Sequence, residues 1–355
     1  MISQNAMHHA EKCRFCWMCR HLCPIQHQTG KELNTPRAKG LLLSMVNKGA
    51  QTFDKDMAEA MYECLLCDAC TNDCATGYQP PLFIREARTE AVVNELAPEA
   101  VMELIDKALE SGNIYGEKKT SFAQDGTDVL VYIGDVAAVK TPEMAKNLLK
   151  VLAKAGVSAK VLDNEPTSGM MLADLMGYTQ EVAEQAKACS AAINAANLPV
   201  VVLDSYDAEI MKQKYPEFGC EIKADITTAT AFVAKLIEDG KLAAKGANGV
   251  KGACHDDDRL ARTFHEFAPI RAIAKAAGYD LGEMFNREKL AKSCGTAVAY
   301  GYMPEMIKKV AGGRWADLQR TENTAMLVAN PQVYMCLDLC VPEGYELNDL
   351  YGALV

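Results

Sequence analysis

No apolar run in this chain is long enough to cross a bilayer. The longest, Val129 to Ile133 and Leu198 to Leu203, are strand-length, far below the ~20 residues a spanning helix needs. No signal-peptide pattern is present, so a reducing cytoplasm is the expected location, with any membrane contact made peripherally through a partner. Positive charge is in deficit. The 37 Lys and Arg residues stand against 47 Asp and Glu, and a net charge of −10 repels nucleic acid. No G-x-G-x-x-G follows a strand, and there is no P-loop and no serine or cysteine nucleophile motif. Gly246, Gly249 and Gly252 are evenly spaced but do not join a strand to a helix as a dinucleotide site requires. Flavin, nucleotide and substrate are therefore expected on another chain.

What the sequence has in excess is cysteine, fourteen in 355 residues. In a chain this large, without a secretion signal, thiols grouped at ligand spacing point to metal rather than to a disulfide scaffold. Two blocks read C-x-x-C-x-x-C-x-x-x-C: Cys13, Cys16, Cys19, Cys23 and Cys64, Cys67, Cys70, Cys74. In that pattern three thiolates close on one iron-sulfur cubane, and the fourth points to the other cluster. The spacing therefore pairs Cys13, Cys16 and Cys19 with Cys74, and Cys64, Cys67 and Cys70 with Cys23. Two [4Fe-4S] clusters are expected. A pair of four-cysteine zinc sites is the alternative, although zinc ligation usually sets two C-x-x-C hooks across a longer gap.

The predicted fold class is α + α/β. Residues 1–115 read as an all-helical two-cluster ferredoxin domain, with helices over Pro36 to Val46, Asp54 to Tyr62, Leu82 to Glu95 and Pro98 to Ser111. Polar, glycine-bearing residues 112–128 form a linker. Strands and helices then alternate through residues 128–240, with a helix capped by Thr141, as βαβ units on a mostly parallel sheet. A second joint covers residues 240–252. Residues 250–355 form another α/β unit, with a helix from Met303 to Ala311 and a strand at Gln332 to Met335.

These two units carry three stations in the same order. Cys254-His255-Asp256, Ser293-Cys294-Gly295 and Cys336 to Cys340 in the later unit correspond to Gly134-Asp135, Thr167-Ser168-Gly169 and Asp204 to Asp207 in the earlier one. The earlier unit lacks soft ligands at its stations and reads as structural. The chain here resembles the iron-sulfur subunits of glycolate oxidase and anaerobic glycerol-3-phosphate dehydrogenase, with the related heterodisulfide reductase subunits. The resemblance covers nearly the whole chain and rests on the two cysteine blocks, Pro36-Arg37, Arg88, Cys254-His255 and Cys294-Gly295. Such proteins join a two-cluster domain to repeats of the form Cys, Cys-Cys-Gly, Cys-x-x-Cys. Three departures stand out: Ser293 replaces the first cysteine of Cys-Cys-Gly, Cys336 and Cys340 are separated by three intervening residues instead of two, and Ala75 replaces a proline.

Four thiolates, Cys254, Cys294, Cys336 and Cys340, suffice for a third iron-sulfur cluster, expected as a cubane. Zinc, or a relic fold with buried cysteines acting as small hydrophobes, are the alternatives. Cys189 and Cys220 read as packing residues. Asp256, Asp257 and Asp258 read as a solvated acidic loop, and Lys12, Arg14, Arg20 and His21 as a solvated face or a dock for an acidic partner. The resemblance implies an electron-transfer subunit relaying single electrons between an FAD-bearing flavoprotein dehydrogenase subunit and a quinone or another carrier, through a quinone-reactive or membrane partner. A heterodisulfide-reductase-like thiol/disulfide catalyst using the C-terminal cluster is the alternative.

Overall fold

Thr35 and Pro36 start the first long helix. The Thr35 hydroxyl accepts the Ala38 N–H at 3.1 Å, and Pro36 fills a position where no N–H is needed. The computed structural model describes residues 2–355. Its N-terminal part is helical: Gln4–Ala10, Pro24–Thr29, Pro36–Asn47, Lys55–Tyr62, Ala69–Asn72, Pro80–Val93 and Glu99–Ser111, with no strand before residue 129 among the described residues. Asp54 caps its helix by accepting the Met57 N–H at 3.0 Å. Leu43, Met61, Leu66, Tyr78, Phe83 and Ile84 form a small core beneath both cysteine blocks.

Strands β1 (Val129–Tyr132), β2 (Ala159–Lys160), β3 (Val200–Val202) and β4 (Ile226–Thr228) make an all-parallel sheet in the order β2-β1-β3-β4. β5 (Lys251–Cys254), β6 (Asp280–Gly282), β7 (Ala325–Val328) and β8 (Glu346–Asp349) repeat that order as β6-β5-β7-β8. Strands β1, β3 and β7 are buried along their whole length, as parallel strands covered by helices on both faces must be. The two units meet through their helices, Ala229–Glu238 against Ala268–Ala276 and Pro142–Lys154 against Leu350–Leu354.

Both units also lean on the N-terminal helices. Met170–Met176 packs on Pro80–Val93, Ala297–Tyr302 on Glu99–Ser111, and Pro304–Gln319 on Pro24–Thr29. Glycine is required at the turn before each of two corresponding helices, where Gly169 has φ +83° and Gly295 φ +117°. A Cβ at Gly295 would stand 2.6 Å from Ile307 Cγ2 and 3.3 Å from Cys336 Sγ.

Several local expectations are corrected. The segment expected as a strand at Gln332 to Met335 is the helix Pro331–Asp338, started by the Asn330 side chain and Pro331, and the strand is the preceding run β7. The Thr141 side chain makes no cap hydrogen bond. The linker before β1 is tied down, for Thr120 N–H donates to Ala138 O at 2.9 Å and Gln124 bridges Val161. Asp256, Asp257 and Asp258 are not solvated; all three are buried, because their carboxylates cap and tie down the turn after β5.

Candidate iron-sulfur site

The two cysteine blocks share one backbone conformation. In the first, Phe15 and Trp17 have φ of 56° and 68°; in the second, Leu66 and Asp68 have φ of 52° and 62°. The residues immediately before and after the second cysteine are thus left-handed in both loops. Non-glycine residues adopt this region at a cost of about 1–3 kcal/mol each, so a shared pattern marks a constrained loop. Alternation of right- and left-handed residues turns successive N–H groups inward into an anion-binding concavity of the kind found at iron-sulfur sites. Phe15 N–H reaches Cys13 Sγ and Leu66 N–H reaches Cys64 Sγ, both at 3.4 Å. A short helix then follows each loop, Met18–His21 in the first and Ala69–Asn72 in the second.

The surroundings of the two loops differ. The first lies at the surface, where Phe15 is 51% and Trp17 40% exposed and Cys16 is exposed. The Arg37 guanidinium stacks over both rings, 4.9 Å from Phe15 and 4.3 Å from Trp17. The second loop is enclosed: Cys23, Cys64, Cys67 and Cys70 line one small cavity with Asn34, Lys39, Glu63 and Asp68. This is the set the spacing singles out, including the crossover of Cys23. Burial raises the Cys19 thiol, and Cys13, Cys23 and Cys16 lie close enough to add to that rise. Cys74 faces Thr76 Oγ1 at 3.2 Å and packs with Cys13 and Cys64 against the small N-terminal core.

Burial works against free thiolates in the enclosed cavity. It raises the Cys23 thiol to about 11 and Cys67 to about 12, and it lifts Cys70 well above its usual value, with Cys67, Cys64, Asp68 and Cys23 adding to the rise. A coordinated metal deprotonates such thiols outright. Burial opposes ionisation of Cys74 as well, but hydrogen bonds from the Thr76 side chain and from backbone N–H groups bring that thiol below its ordinary value. No three His, Cys, Asp or Glu side chains among the described residues are placed to share a single metal ion. Cubane thiolates each bind a separate iron and stand further apart.

Backbone carbonyls of the second loop are held from outside by three buried arginines. Arg88 donates to Cys64 O at 2.6 Å, Arg259 to Leu66 O at 3.0 Å, and Arg262 to Cys67 O at 2.7 Å. Arg259 and Arg262 come from the helix Asp258–Arg262, which the buried acidic run positions. The Asp257 carboxylate accepts Leu260 N–H at 2.8 Å, Arg259 N–H at 2.9 Å and Ser205 Oγ–H at 2.6 Å. Asp258 takes the Arg262 guanidinium, the Tyr206 hydroxyl at 3.0 Å and the Ser293 hydroxyl at 2.6 Å. Residues of both α/β units therefore hold one arm of the second loop. Charge pattern gave no sign of this, because Arg259 and Arg262 look like surface charges beside an acidic run.

Three of the four C-terminal thiols lie against backbone carbonyls. Cys254 Sγ–H is directed at Ile270 O, 3.9 Å away, Cys294 Sγ–H at Val333 O, 4.0 Å away, and Cys340 Sγ–H at Lys308 O, 3.6 Å away. Cys294 and Cys336 are electrostatic neighbours, as are Cys336 and Cys340, whereas Cys254 answers to Arg271, Asp256 and Glu283. Cys336 lies within the helix Pro331–Asp338, and the strand-end position matching Asp204 is held by Asn330. Asn330 and Gln332 both donate to the Asp204 carboxylate at 3.0 Å. In the earlier unit Ser168 Oγ–H donates to Asp207 at 2.5 Å, and Thr167 Oγ–H to Asp135 at 2.6 Å. Cys189 is buried in the core, and Cys220 donates to Tyr215 O at 3.5 Å.

Residues 9–78 match the model of the 4Fe-4S dicluster domain. The chain is 24% identical over 305 residues to a probable membrane-anchored ferredoxin of Chromohalobacter salexigens, covering 80% of this chain and 46% of that protein. It is 23% identical over 384 residues to an EtfAB:quinone oxidoreductase of Syntrophomonas wolfei, covering 91% and 53%. It is 27% identical over 212 residues to the probable iron-sulfur-binding oxidoreductase FadF of Bacillus subtilis, covering 58% and 28%. The chain thus spans about half the length of the first two relatives and less of the third. A hypothetical protein from Helicobacter pylori shares the fold with a TM-score of 0.59 at 11% identity, over 99% of this chain and 72% of that one. The N-terminal part is a 4Fe-4S ferredoxin-type domain, joined to parallel-sheet units, and the three relatives are named as a ferredoxin, a quinone oxidoreductase and an iron-sulfur-binding oxidoreductase. No helix among the described residues is long and apolar enough to cross a membrane.

Proposed function

We propose that this chain is the electron-transferring iron-sulfur subunit of a multisubunit oxidoreductase, conducting between a flavoprotein partner and a quinone or another carrier. The observation that carries the reading is the pair of cysteine loops with matching left-handed residues, one at the surface and one enclosed. Cys13, Cys16, Cys19 and Cys74 hold one [4Fe-4S] cluster, and Cys64, Cys67, Cys70 and Cys23 the other. When bound, such clusters take up and release one electron at a time. The inward N–H groups stabilise the negative charge on the sulfurs, and the packed walls of the second loop exclude water. The crossed fourth ligands, Cys23 and Cys74, tie the two loops together through the short helix after each.

The exposed first loop supplies the contact with a partner, since Phe15, Trp17 and Met18 reach the surface beside Arg14, Arg20 and Arg37. The Syntrophomonas wolfei relative, named for EtfAB and quinone, motivates the choice of flavoprotein and quinone. The geometry of the C-terminal thiols supports two clusters, leaving Cys254, Cys294, Cys336 and Cys340 as packing residues.

An anaerobic reductive titration tests this. The loaded chain takes up about one electron per cluster and passes them to a quinone analogue when the flavoprotein or quinone-reactive partner is added. A loaded chain that by itself cleaves disulfides with an artificial electron donor would contradict the relay reading and favour a thiol/disulfide catalyst.

A further inference from the structure

Four cationic side chains surround the enclosed second loop, and they fall into two classes. Arg259 and Arg262 are neutralised: Arg259 pairs with Glu209 at 2.9 Å and Arg262 pairs with Asp258. Lys39 and Arg88 are not. Each is 1% exposed, and among the described residues neither has a carboxylate within ion-pair distance. Lys39 Nζ–H donates to Leu33 O at 3.3 Å. Arg88 donates to the carbonyls of Met61, Cys64 and Asp174, at 3.1, 2.6 and 2.5 Å, and its guanidinium lies 4.9 Å from the centre of the Tyr62 ring. Glu63, whose charge acts on Lys39, is engaged by the Asn34 side-chain amide, and the Asp174 carboxylate is taken by Arg85.

A buried charge without a counter-charge is costly, and a lone buried lysine more so, because burial disfavours its charged form. Here two stand near enough to repel each other, and both lie beside Cys64, with Lys39 lining the cavity of Cys23, Cys64, Cys67 and Cys70. What these cations require is an anion inside that cavity. A cubane held by four thiolates is anionic when oxidised and gains one more negative charge on reduction. The first loop has no counterpart, since Arg14 and Arg20 are exposed and Arg37 pairs with Glu32 at 2.9 Å.

We infer that Lys39 and Arg88 are the counter-charges of the second cluster and set its reduction potential above the value its enclosed, thiolate-lined cavity would otherwise give. They are positioning residues: they touch no substrate, and act by stabilising the added negative charge of the reduced state across a medium of low dielectric. This rests on the two-cluster reading and deepens it, because it gives the enclosed position its own control of potential. Neither residue is a metal-ligand type, so ligand spacing is silent about both. Arg88 belongs to the helix Pro80–Val93 and Lys39 to the helix Pro36–Asn47, so the control comes from outside both cysteine loops.

The test is an EPR-monitored potentiometric titration of the anaerobically loaded, full-length chain, with iron counted on every sample. In Lys39→Met the ratio of reduced to oxidised second cluster at fixed solution potential falls at least tenfold, a shift of about 59 mV for a one-electron couple. The other wave stays in place, and Lys39→Arg restores the first. Arg88→Met shifts the same wave in the same direction, and Arg88→Lys recovers most of the shift. Should Lys39→Met lose the second cluster altogether while Lys39→Arg keeps it, the need for charge is shown by loading instead. An unmoved wave in fully loaded Lys39→Met, equal movement of both waves, or loss of the cluster in Lys39→Arg as in Lys39→Met overturns the inference. A wild-type chain without iron and sulfide is a different outcome, which removes the two-cluster reading beneath it.

Discussion

Asp257 starts the helix Asp258–Arg262, its carboxylate accepting the Arg259 and Leu260 N–H groups. It sits in a run of three aspartates that looks solvated, yet it is 1% exposed, capping the helix that carries Arg259 and Arg262. Burial lifts its pKa from 3.8 to about 7, the Asp258 charge adds to the rise, and the Ser205 hydroxyl and Leu260 N–H pull the other way. Asp204, in the same buried group, is shifted in the same direction. A raised carboxyl pKa means that the native state holds the proton more tightly than the unfolded chain. The stability from this group is complete below about pH 4 and is lost as pH rises through about 7. Asp257→Asn keeps a capping side chain and removes the titration. Urea-unfolding free energies measured between pH 4 and 7 should therefore fall less steeply in Asp257→Asn than in the wild type. Equal slopes would assign the decline to Asp204 and its neighbours.

At the scale of the element, the cysteine loops are held by backbone conformation as much as by ligand identity. Phe15 is exposed but left-handed, so its side chain can be changed without opening the core. Phe15→Gly should load iron as the wild type does, while Phe15→Val, with a β-branched residue forced to positive φ, should load less and be less stable by about 1–3 kcal/mol. Iron content and thermal unfolding of the two variants check this; equal loading would show that the loop tolerates another conformation. The spacing of the cysteines made both loops legible, along with the crossover of Cys23 into the second cavity, because ligand geometry is local in sequence. Continuous apolar runs likewise revealed β1 and β3. The C-terminal end was harder to read. Pro331-Gln332-Val333-Tyr334 has strand-like residues, but Asn330 and Pro331 form a helix start, and that local chemistry won. Lys39, Arg259 and Arg262 were illegible as site residues, since their meaning lies in contacts 193 and 195 positions away in the chain or in a cavity visible only after folding.

The molecule as a whole sets one ferredoxin-type layer of helices against two copies of a parallel four-stranded unit. The copies keep the same strand order but not the same residues at their turns: Asp135, Ser168 and Asp207 form a polar cluster in one, and Cys294 sits beside Cys336 in the other. Their common contribution is mechanical. The later copy sends Arg259 and Arg262 into the second loop, and the earlier copy braces the helix bearing them through Ser205, Tyr206 and Glu209. The enclosed loop is thus held in place by the entire chain, while the exposed one is built by the first eighty residues. With a cubane proposed in each loop, the decisive quantity is the iron and acid-labile sulfide content of the anaerobically purified chain. About eight atoms of each per chain are predicted, and zinc in place of iron with no sulfide would contradict the account.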